Sequence, residues 1–248
     1  MMKRAARAAV VWPWRILPRS LRQSLLKGGL YASASADPRT ALAELLEIDA
    51  VVSGQIDLAS LRYGDGVHVK HRLMAYHDFF VSRIRPDERV LDVGCGYGAV
   101  ANSIADRAKA HVVGIDLNPS NIDHARKRFT NPRLQFVVGE APRDLPNEPF
   151  DVIVLSNVLE HVEHRVAFLG ALTERARPQR ILIRVPMADR HWHVPLRREL
   201  GLFHFSDPTH FTEYTRQSFE VEMRDAHLAI THCQVNWGEI WAEVTPRA

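Results

Sequence analysis

A glycine-rich segment that directly follows an apolar run constrains the fold of this chain more than any other feature. Residues 90–98 read Val-Leu-Asp-Val-Gly-Cys-Gly-Tyr-Gly, and the next apolar run, residues 111–116, ends in Asp116. An apolar strand that opens into a glycine turn, followed by a strand that ends in an acidic residue, is typical of a nucleotide site in a parallel α/β sheet. Glycine lets the backbone approach the ligand, and the acidic side chain accepts hydrogen bonds from ribose hydroxyls.

The acidic residue ahead of the glycines indicates which nucleotide fits. Gly94, Gly96 and Ala99 also satisfy the loose fingerprint of dinucleotide-binding proteins. Asp92, however, stands two positions before Gly94, where its carboxylate would meet a cationic amino group that a dinucleotide pyrophosphate lacks. S-adenosylmethionine carries such a group. The segment therefore favours S-adenosylmethionine as the ligand, with Gly98 as the third glycine of the turn.

Four motifs in order resemble those of the class I S-adenosylmethionine-dependent methyltransferases. They occupy residues 90–98, 113–120, 136–141 and 150–162. The resemblance covers residues 86–175 and implies an α/β fold, a Rossmann-like seven-stranded methyltransferase sheet whose last strand is antiparallel. It also implies that S-adenosylmethionine is the cofactor of an enzyme, with a non-catalytic S-adenosylmethionine-binding module as one alternative.

The resemblance assigns the cofactor site residue by residue. Asp92 would contact the methionine amino group through the loop or a water molecule, and Gly94, Gly96 and Gly98 would allow close passage of the backbone. Asp116 would bind the ribose hydroxyls. Four further residues would border the adenine or close the cavity beneath the methionine: Leu117, Glu140, Ala141 and Asn157.

The acceptor side is expected to begin where the fourth motif ends, at Glu160 and His161. Related ubiquinone O-methyltransferases carry Glu-x-x-Glu-His there and can bind a metal, but in this chain Asn157 stands at the position of the first Glu. His164 would complete only a weak ligand set, so we predict no metal site. We expect His161 to be a general base, the alternative being that the Glu-His pair caps and packs the chain.

A second candidate catalytic residue, His210, lies in a long segment, residues 186–214, that we interpret as a lid over the acceptor. Similar bacterial methyltransferases carry Asp-x-x-His before their last helix, and Asp207 would orient His210 if the loop folds back. The alternative is that His210 caps the following helix. His191 and His193 would share one side of an extended strand, without a third ligand for a metal.

Changes in composition divide the chain into a basic amphipathic tail (1–36), a helical N-terminal cap (37–85) and the methyltransferase domain (86–248). Apolar runs predict strands at 89–93, 111–116, 134–138, 151–155, 180–185, 228–235 and 238–244. Helical patterns in the domain occupy 98–109, 119–129, 162–175 and 215–227.

The cap is predicted to hold two helices. Asp37 and Pro38 begin the first, which has apolar positions to Ile48, and a polar stretch follows to Gly66. The second helix covers 67–84. From it Arg72 could reach the methionine carboxylate of the cofactor, the alternative being a plain surface arginine.

The tail carries a charge that the rest of the chain does not share. Residues 1–36 contain seven Lys and Arg and no acidic residue, while the remainder has 25 basic and 29 acidic residues. Cations mixed with tryptophan and leucine suit the surface of an anionic membrane, so we predict peripheral contact through residues 1–30. The alternatives are a disordered tail, a helix docked on the body, or contact with RNA.

The acceptor is predicted from a looser resemblance. Residues 185–241 resemble methyltransferases of bacterial polysaccharide and glycan biosynthesis, which implies methylation of a sugar hydroxyl on a glycan that a lipid carries. A quinone or another small lipophilic acceptor is the alternative, and an RNA methyltransferase is a further one, although nucleic acid is not the expected partner. Two cysteines without disulfide or zinc spacing favour a cytoplasmic location, at the inner face of the membrane.

Overall fold

One mixed sheet organises the protein. The computed structural model describes residues 14, 16–64, 68–146 and 148–247. The strands are β1 Arg89–Val93, β2 His111–Asp116, β3 Leu134–Val138, β4 Val152–Ser156, β5 Arg180–Pro186, β6 Leu228–Asn236 and β7 Glu239–Pro246. They follow the order β3-β2-β1-β4-β5-β7-β6. The first five are parallel and β7 is antiparallel to both of its neighbours, which confirms the predicted Rossmann-like seven-stranded sheet.

The α-helices are α1 Arg19–Ala34, α2 Pro38–Tyr63, α3 Lys70–Met74, α4 Tyr76–Val81, α5 Ala99–Ser103, α6 Pro119–Arg128, α7 Arg165–Ala176, α8 His193–Glu199 and α9 Arg216–Asp225. A π-helical turn, Ile104–Ala108, continues α5, and a 3-10 turn, Leu159–His161, follows β4. Helices α4 to α7 and α9 cover the two faces of the sheet. Neighbouring residues of a strand point to opposite faces, so Leu91 packs in the core beneath α7 and α9 while Val90 packs in the core beneath α4 to α6. The carboxyl ends of β1, β2 and β4 meet at one edge, where sheets of this kind bind ligands.

The predicted helix starts follow from local capping. The Asp37 side chain accepts hydrogen bonds from the first backbone amides of α2, and the Asn118 side chain accepts one from Ser120 at the start of α6. In both helices proline occupies the first turn, where its missing N–H group has no helical partner to lose. These starts are confirmed because the side chains that make them are adjacent in the sequence.

The cap differs from the prediction in two places. Helix α2 continues to Tyr63 instead of ending near Ile48, because a helical glycine such as Gly54 costs only about 1 kcal/mol and the other residues favour a helix. The predicted helix 67–84 is wrong as one element. Ala75 adopts a left-handed conformation with φ of 51°, and the chain turns there so that α4 buries its aromatic residues in the core.

The lid is also more ordered than predicted. Instead of an extended strand through His191 and His193, a turn leads into α8, which begins at His193. The guanidinium of Arg197 donates to the backbone oxygen of Leu46 in α2 and lies 3.5 Å from the Asp49 carboxylate. Hydrogen bonds between residues about 150 positions apart therefore hold the lid against the cap, which local sequence patterns do not reveal.

Part of the predicted membrane tail lies outside the described residues, including residues 1–13 and Arg15. Within the described part, the tail folds into α1, whose side chains are all at least partly exposed. None of the helices that the structure describes is both long enough and apolar enough to cross a membrane.

Candidate functional site

The glycine turn after β1 depends on glycine for two physical reasons. Gly94, Gly96 and Gly98 have φ of 64°, 53° and 76°, a region that side chains disfavour. A Cβ atom on Gly98 would lie 2.4 Å from the Phe136 ring, and one on Gly94 would lie 2.9 Å from Val158, whereas Gly96 faces open space. The turn therefore needs glycine for its backbone conformation at all three positions and for packing at two.

The carboxylate of Asp116 holds this turn in place from the end of β2. Its Oδ2 accepts a hydrogen bond from the Gly96 amide at 2.9 Å, and its Oδ1 accepts from the Asn118 amide at 2.8 Å and the Asn121 side chain at 3.1 Å. A carboxylate has about four acceptor positions. Three are filled by the protein, which leaves one on Oδ2 for a ligand hydroxyl.

A cavity of about 430 Å³ opens beside Asp116 at the edge of the sheet. Seven residues singled out in the sequence line it: Gly94, Asp116, Leu117, Glu140, Ala141, Asn157 and His161. The Leu117 side chain is 69% exposed and free to cover a planar ligand. Size and lining suit an adenosine, with the acid at one end and apolar side chains along the walls.

A second cavity of about 330 Å³ lies on the other side of the turn and shares Gly94 and Asn157 with the first. Asp92 lines it, is 1% exposed, and has an Oδ2 atom without a hydrogen-bond partner among the described residues. Burial, with a smaller contribution from the Asp116 charge, raises the pKa of Asp92 to about 7. A buried carboxyl with one oxygen left without a partner by the described residues fits the amino group of S-adenosylmethionine.

Three cationic side chains that the sequence did not single out also line this second cavity: Lys70, Arg128 and Arg184. Arg184 is 4% exposed, donates two hydrogen bonds to Glu239, and stacks 3.8 Å above the centre of the Tyr76 ring. These groups suit a carboxylate. Arg72, considered for that role from the sequence, is exposed and outside the cavity lining. The sequence signal for Arg184 is its position in the middle of the apolar run of β5.

The structure brings together three side chains on the acceptor side. One ligand atom each from Glu160, His161 and His210 lies within 4.8 Å of the other two. The two imidazole rings are edge to face, with centres 4.6 Å apart. The Phe211 amide donates to the backbone oxygen of Glu160 at 2.8 Å, which places the lid beside the end of β4. His164, considered with this group, is exposed and outside the cluster.

Glu160 is the most buried member of this cluster. Its side chain is fully buried, and both of its carboxylate oxygens have no hydrogen-bond partner among the described residues. Burial raises the pKa of Glu160 to about 8. Two carboxyl oxygens without a hydrogen bond from the described residues are an unusual feature of a group that only packs.

Each histidine of the cluster is held through its Nδ1 atom, His161 by a threonine hydroxyl and His210 by a carboxylate. The Thr209 hydroxyl donates to Asp207 at 2.5 Å and lies 2.8 Å from His161 Nδ1, so this hydroxyl must accept from Nδ1–H. His210 Nδ1 lies 3.1 Å from Glu213 Oε1. The proposed pairing of Asp207 with His210 is therefore wrong, because Asp207 turns toward Thr209. His210 does not cap α9 either, since Thr215 makes that cap.

Glu213, which accepts from His210, is itself held in place by further hydrogen bonds. Its side chain is 1% exposed, and it accepts hydrogen bonds from Arg190 and from the backbone and side chain of Ser206. Burial alone would raise the pKa of Glu213, but the Ser206 hydrogen bonds and the Arg190 charge bring that pKa below its usual value. It therefore remains an anion that accepts the Nδ1 proton of His210.

Comparison with known families agrees with a nucleotide site at this edge of the sheet. A family model described as a methyltransferase domain matches residues 66–233, more than half of the chain. The ubiquinone biosynthesis O-methyltransferase of Schizosaccharomyces pombe is 35% identical over 101 residues, which cover 39% of this chain and 36% of that relative. The chain thus spans little more than a third of the length of this curated relative.

Solved structures show the same fold at low identity. A TehB-like methyltransferase from Corynebacterium glutamicum superimposes with a TM-score of 0.54 and 17% identity, covering 81% of this chain and 100% of that one. An O-methyltransferase from neocarzinostatin biosynthesis gives a TM-score of 0.56 and 22% identity, covering 82% of this chain and 60% of that one. The latter was crystallised with S-adenosyl-L-homocysteine and 1,4-dihydroxy-2-naphthoic acid.

Proposed function

We propose that this chain transfers a methyl group from S-adenosylmethionine to the oxygen of a sugar hydroxyl. The proposal starts from its family, since the chain belongs to the methyltransferase-domain family and is an S-adenosylmethionine-dependent methyltransferase. The observation that carries the proposal is the group formed by Glu160, His161 and His210, because His161 also lines the adenosine-sized cavity. A hydroxyl acceptor loses a proton during methylation, and this group supplies nitrogen and oxygen atoms to deal with that proton.

The cofactor is held at the two cavities, which fit its two halves. The Asp92 carboxylate pairs with the amino group, and Asp116 accepts from a ribose hydroxyl. Gly94 and Asn157, which border both cavities, flank the junction of the two halves. Leu117, Glu140 and Ala141 border the adenine. Gly96 and Gly98 line neither cavity, so their part in binding is to shape the turn.

When bound, S-adenosylmethionine supplies an electrophilic methyl group on a positively charged sulfur. Held by Asp92 and Asp116, the bound cofactor would give this methyl group to the acceptor oxygen and keep the electron pair of the carbon–sulfur bond. The hydroxyl proton leaves toward the cluster. His161 and His210 are the catalytic residues of this proposal, since each offers a ring nitrogen at the cluster to accept the hydroxyl proton. Alignment of the reacting atoms can lower the activation free energy of a transfer of this kind by about 7–11 kcal/mol.

Replacing Asp92 by asparagine should change stability and cofactor affinity in opposite directions. Because its folded pKa of about 7 lies above the ordinary value of 3.8, folding favours its protonated form, and this contribution to stability is lost as pH rises through that window. The neutral amide of the Asp92→Asn variant carries no such penalty, so this variant should melt higher than the wild type at pH 8 and match it more closely at pH 5. Its S-adenosylmethionine affinity should fall roughly 10- to 100-fold, since a charged hydrogen bond is lost.

Thermal melts at both pH values and calorimetric titrations test this pair of effects. Unchanged affinity in Asp92→Asn would remove the amino group assignment. A variant that melts lower at pH 8 would instead show that the carboxylate stabilises the unliganded fold.

The sugar acceptor is supported by the lid. Trp192, Phe203 and Phe211 are 64%, 57% and 55% exposed, which leaves their rings free to stack on a sugar. A quinone-type acceptor is the second candidate, and the similarity to ubiquinone biosynthesis O-methyltransferases favours it. Both acceptors present hydroxyl groups to the same cluster, so the choice between them depends on the lid.

Calorimetry followed by an acceptor screen tests the proposed function. We expect micromolar binding of S-adenosylmethionine and no binding of NAD. Release of S-adenosylhomocysteine should then rise with glycan acceptors, and a rise with catechols alone would transfer the assignment to quinone-type acceptors. Binding of NAD alone, or turnover only with acceptors that lack a hydroxyl, would contradict the proposal.

The partner expected at the tail is an anionic membrane surface. Described cations of α1 are Arg19, Arg22 and Lys27, and that helix contains no acidic residue. Exposed leucines lie among them, including Leu25 at 51% and Leu26 at 57%. Cations and exposed leucines on one helix support binding at the headgroup level of the inner membrane face.

Leu26→Asp should lower co-sedimentation with phosphatidylserine vesicles about tenfold, because it removes one exposed leucine and adds a negative charge. Leu73→Asp is the matched control, since Leu73 is 59% exposed but lies in α3. Equal losses in the two variants, or no vesicle binding by the wild type, would exclude α1 as a membrane contact.

A further inference from the structure

The acceptor-side cluster of Glu160, His161 and His210 is distinguished by the hydrogen bonds that fix its two rings. His161 gives its Nδ1 proton to Thr209, because the Thr209 hydroxyl proton is already committed to Asp207 at 2.5 Å. His210 gives its Nδ1 proton to the Glu213 carboxylate, which can only accept. A neutral ring that donates from Nδ1 has a lone pair on its remaining nitrogen, Nε2, which can bind a cation.

The third member, Glu160, adds two carboxyl oxygens. Both oxygens of the buried Glu160 carboxyl have no partner among the described residues. One potential ligand atom from each of the three side chains lies within 4.8 Å of the other two. Glu160 is buried, His210 is half-buried and His161 is exposed, so the cluster is open to solvent on the His161 side. A positive ion bound there would partner the two carboxyl oxygens that the described residues leave without a hydrogen bond.

We propose that Glu160, His161 and His210 form a binding site for a divalent transition-metal ion, with zinc as the representative. Two imidazoles and one carboxylate are a ligand set that zinc and similar ions accept. In a tetrahedral site, ligand bonds of about 2.0–2.2 Å place two ligand atoms about 3.4 Å apart. The spacing of up to 4.8 Å between the ligand atoms therefore closes onto one ion through side-chain rotations of about 1–1.5 Å. Asn157 occupies the place where a further acid would have extended the set.

The surroundings of the ligands support a metal better than a free base. Metal-bound histidines are held by a hydrogen bond from the other ring nitrogen to a carboxylate or another acceptor, which aims the free nitrogen at the ion. Here His210 is aimed by Glu213 and His161 by the Thr209 hydroxyl. Glu213 is in turn anchored by Arg190 and Ser206, so the acid cannot swing away from the ring.

The role of the ion rests on the proposed function, whereas its binding does not. Three protein ligands leave coordination positions open, and the acceptor hydroxyl can occupy one of them. The positive charge would lower the pKa of that hydroxyl, so that its proton is released to solvent as the oxygen attacks the methyl carbon. His161 and His210 then act as ligands. The lid contributes His210, so a closed lid is required for a complete site.

Cobalt titration of the full-length protein tests the site without any turnover. Protein freed of metal with a chelator should bind one cobalt ion per chain and develop visible absorption bands, which zinc should displace. His210→Ala and Glu160→Gln should each weaken binding at least 100-fold. Thr209→Val should weaken it about tenfold, because only the hydrogen bond that aims His161 is lost.

Two matched controls separate this cluster from other histidines and acids. His193→Ala removes a member of the other histidine pair in the lid, whose rings are 4.2 Å apart, and Glu163→Gln removes a neighbouring acid. Both should bind cobalt as the wild type does. A His210→Ala variant that binds cobalt as tightly as the wild type, or a wild type that binds none, would overturn the proposal.

Titration of the same variants with S-adenosylmethionine distinguishes the two possible failures. Intact cofactor binding without cobalt binding would reject the metal site alone. Loss of cofactor binding in the metal-free wild type would reject the proposed function. For His210→Ala, retained cofactor binding shows that the variant is folded, so that its loss of cobalt reports on the ligand itself.

Discussion

Asp116→Ala should lower the affinity for S-adenosylmethionine by about 100-fold or more and lower the melting temperature as well. The carboxylate accepts three hydrogen bonds within the protein, from Gly96, Asn118 and Asn121, and has one further acceptor position for the proposed ribose contact. Each hydrogen bond to a charged group contributes about 1.5–3 kcal/mol. Alanine would remove the proposed ribose contact and at the same time release the turn that shapes both cavities.

Asn121→Ala is the control that separates these two effects. It removes one of the three hydrogen bonds to the Asp116 carboxylate but no proposed ligand contact, so stability should fall slightly and cofactor affinity by less than fivefold. Calorimetric titration with S-adenosylmethionine and with S-adenosylhomocysteine should give the same ranking, since both carry the ribose. Wild-type affinity in Asp116→Ala would contradict the ribose assignment.

Gly98→Ala should be the most destabilising single-methyl change in the glycine turn. The new Cβ would lie 2.4 Å from the Phe136 ring, too close for any real contact, and φ at this position is 76°. Overpacking costs about 1–3 kcal/mol, and a left-handed backbone costs a side chain about 1–2 kcal/mol more. We therefore expect a loss of several kcal/mol in the free energy of unfolding, measured by urea denaturation.

Gly96→Ala isolates the backbone part of that cost. Its φ of 53° is equally left-handed, but a Cβ there meets no atom within 4 Å. It should lose only about 1–2 kcal/mol. Phe136→Leu should partly rescue Gly98→Ala by making room for the methyl group. Equal losses in the two alanine variants, or no rescue, would show that packing against Phe136 does not explain the glycine.

The sheet could be predicted from the sequence because its signals are local. Apolar runs of four to six residues, separated by turns and capped helices, are enough to place β1 to β5 within about a residue. Asn118 and Pro119 begin α6 through contacts with their immediate neighbours. The break at Ala75 could not be predicted in this way. Its left-handed conformation is stabilised by the burial of the aromatic residues of α4 in a core formed by distant segments.

The candidate site also has a part that the sequence predicted and a part that it did not. The sequence motifs at the ends of β1 and β2 contain Asp92, Gly94 and Asp116. Because the carboxyl ends of these strands lie at one edge of the sheet, it was predictable that the three residues lie close together there. The stacking of Arg184 on Tyr76 beside the second cavity was not predictable, because 108 positions separate the two residues. The acid expected to orient His210 was also wrongly chosen, because the fold of the lid presents Glu213 to that ring.

The amino-acid sequence alone determined the sheet, the glycine turn and the two acids that fit S-adenosylmethionine, because turn geometry and strand periodicity act between neighbouring residues. Only the tertiary structure decided which lid residues meet the end of β4. His161 and His210 converge because the Phe211 amide bonds to Glu160 and because Thr209 and Glu213 each take up one ring nitrogen. Such contacts depend on the path of a long loop, which is set by packing against distant elements and not by the residues beside it.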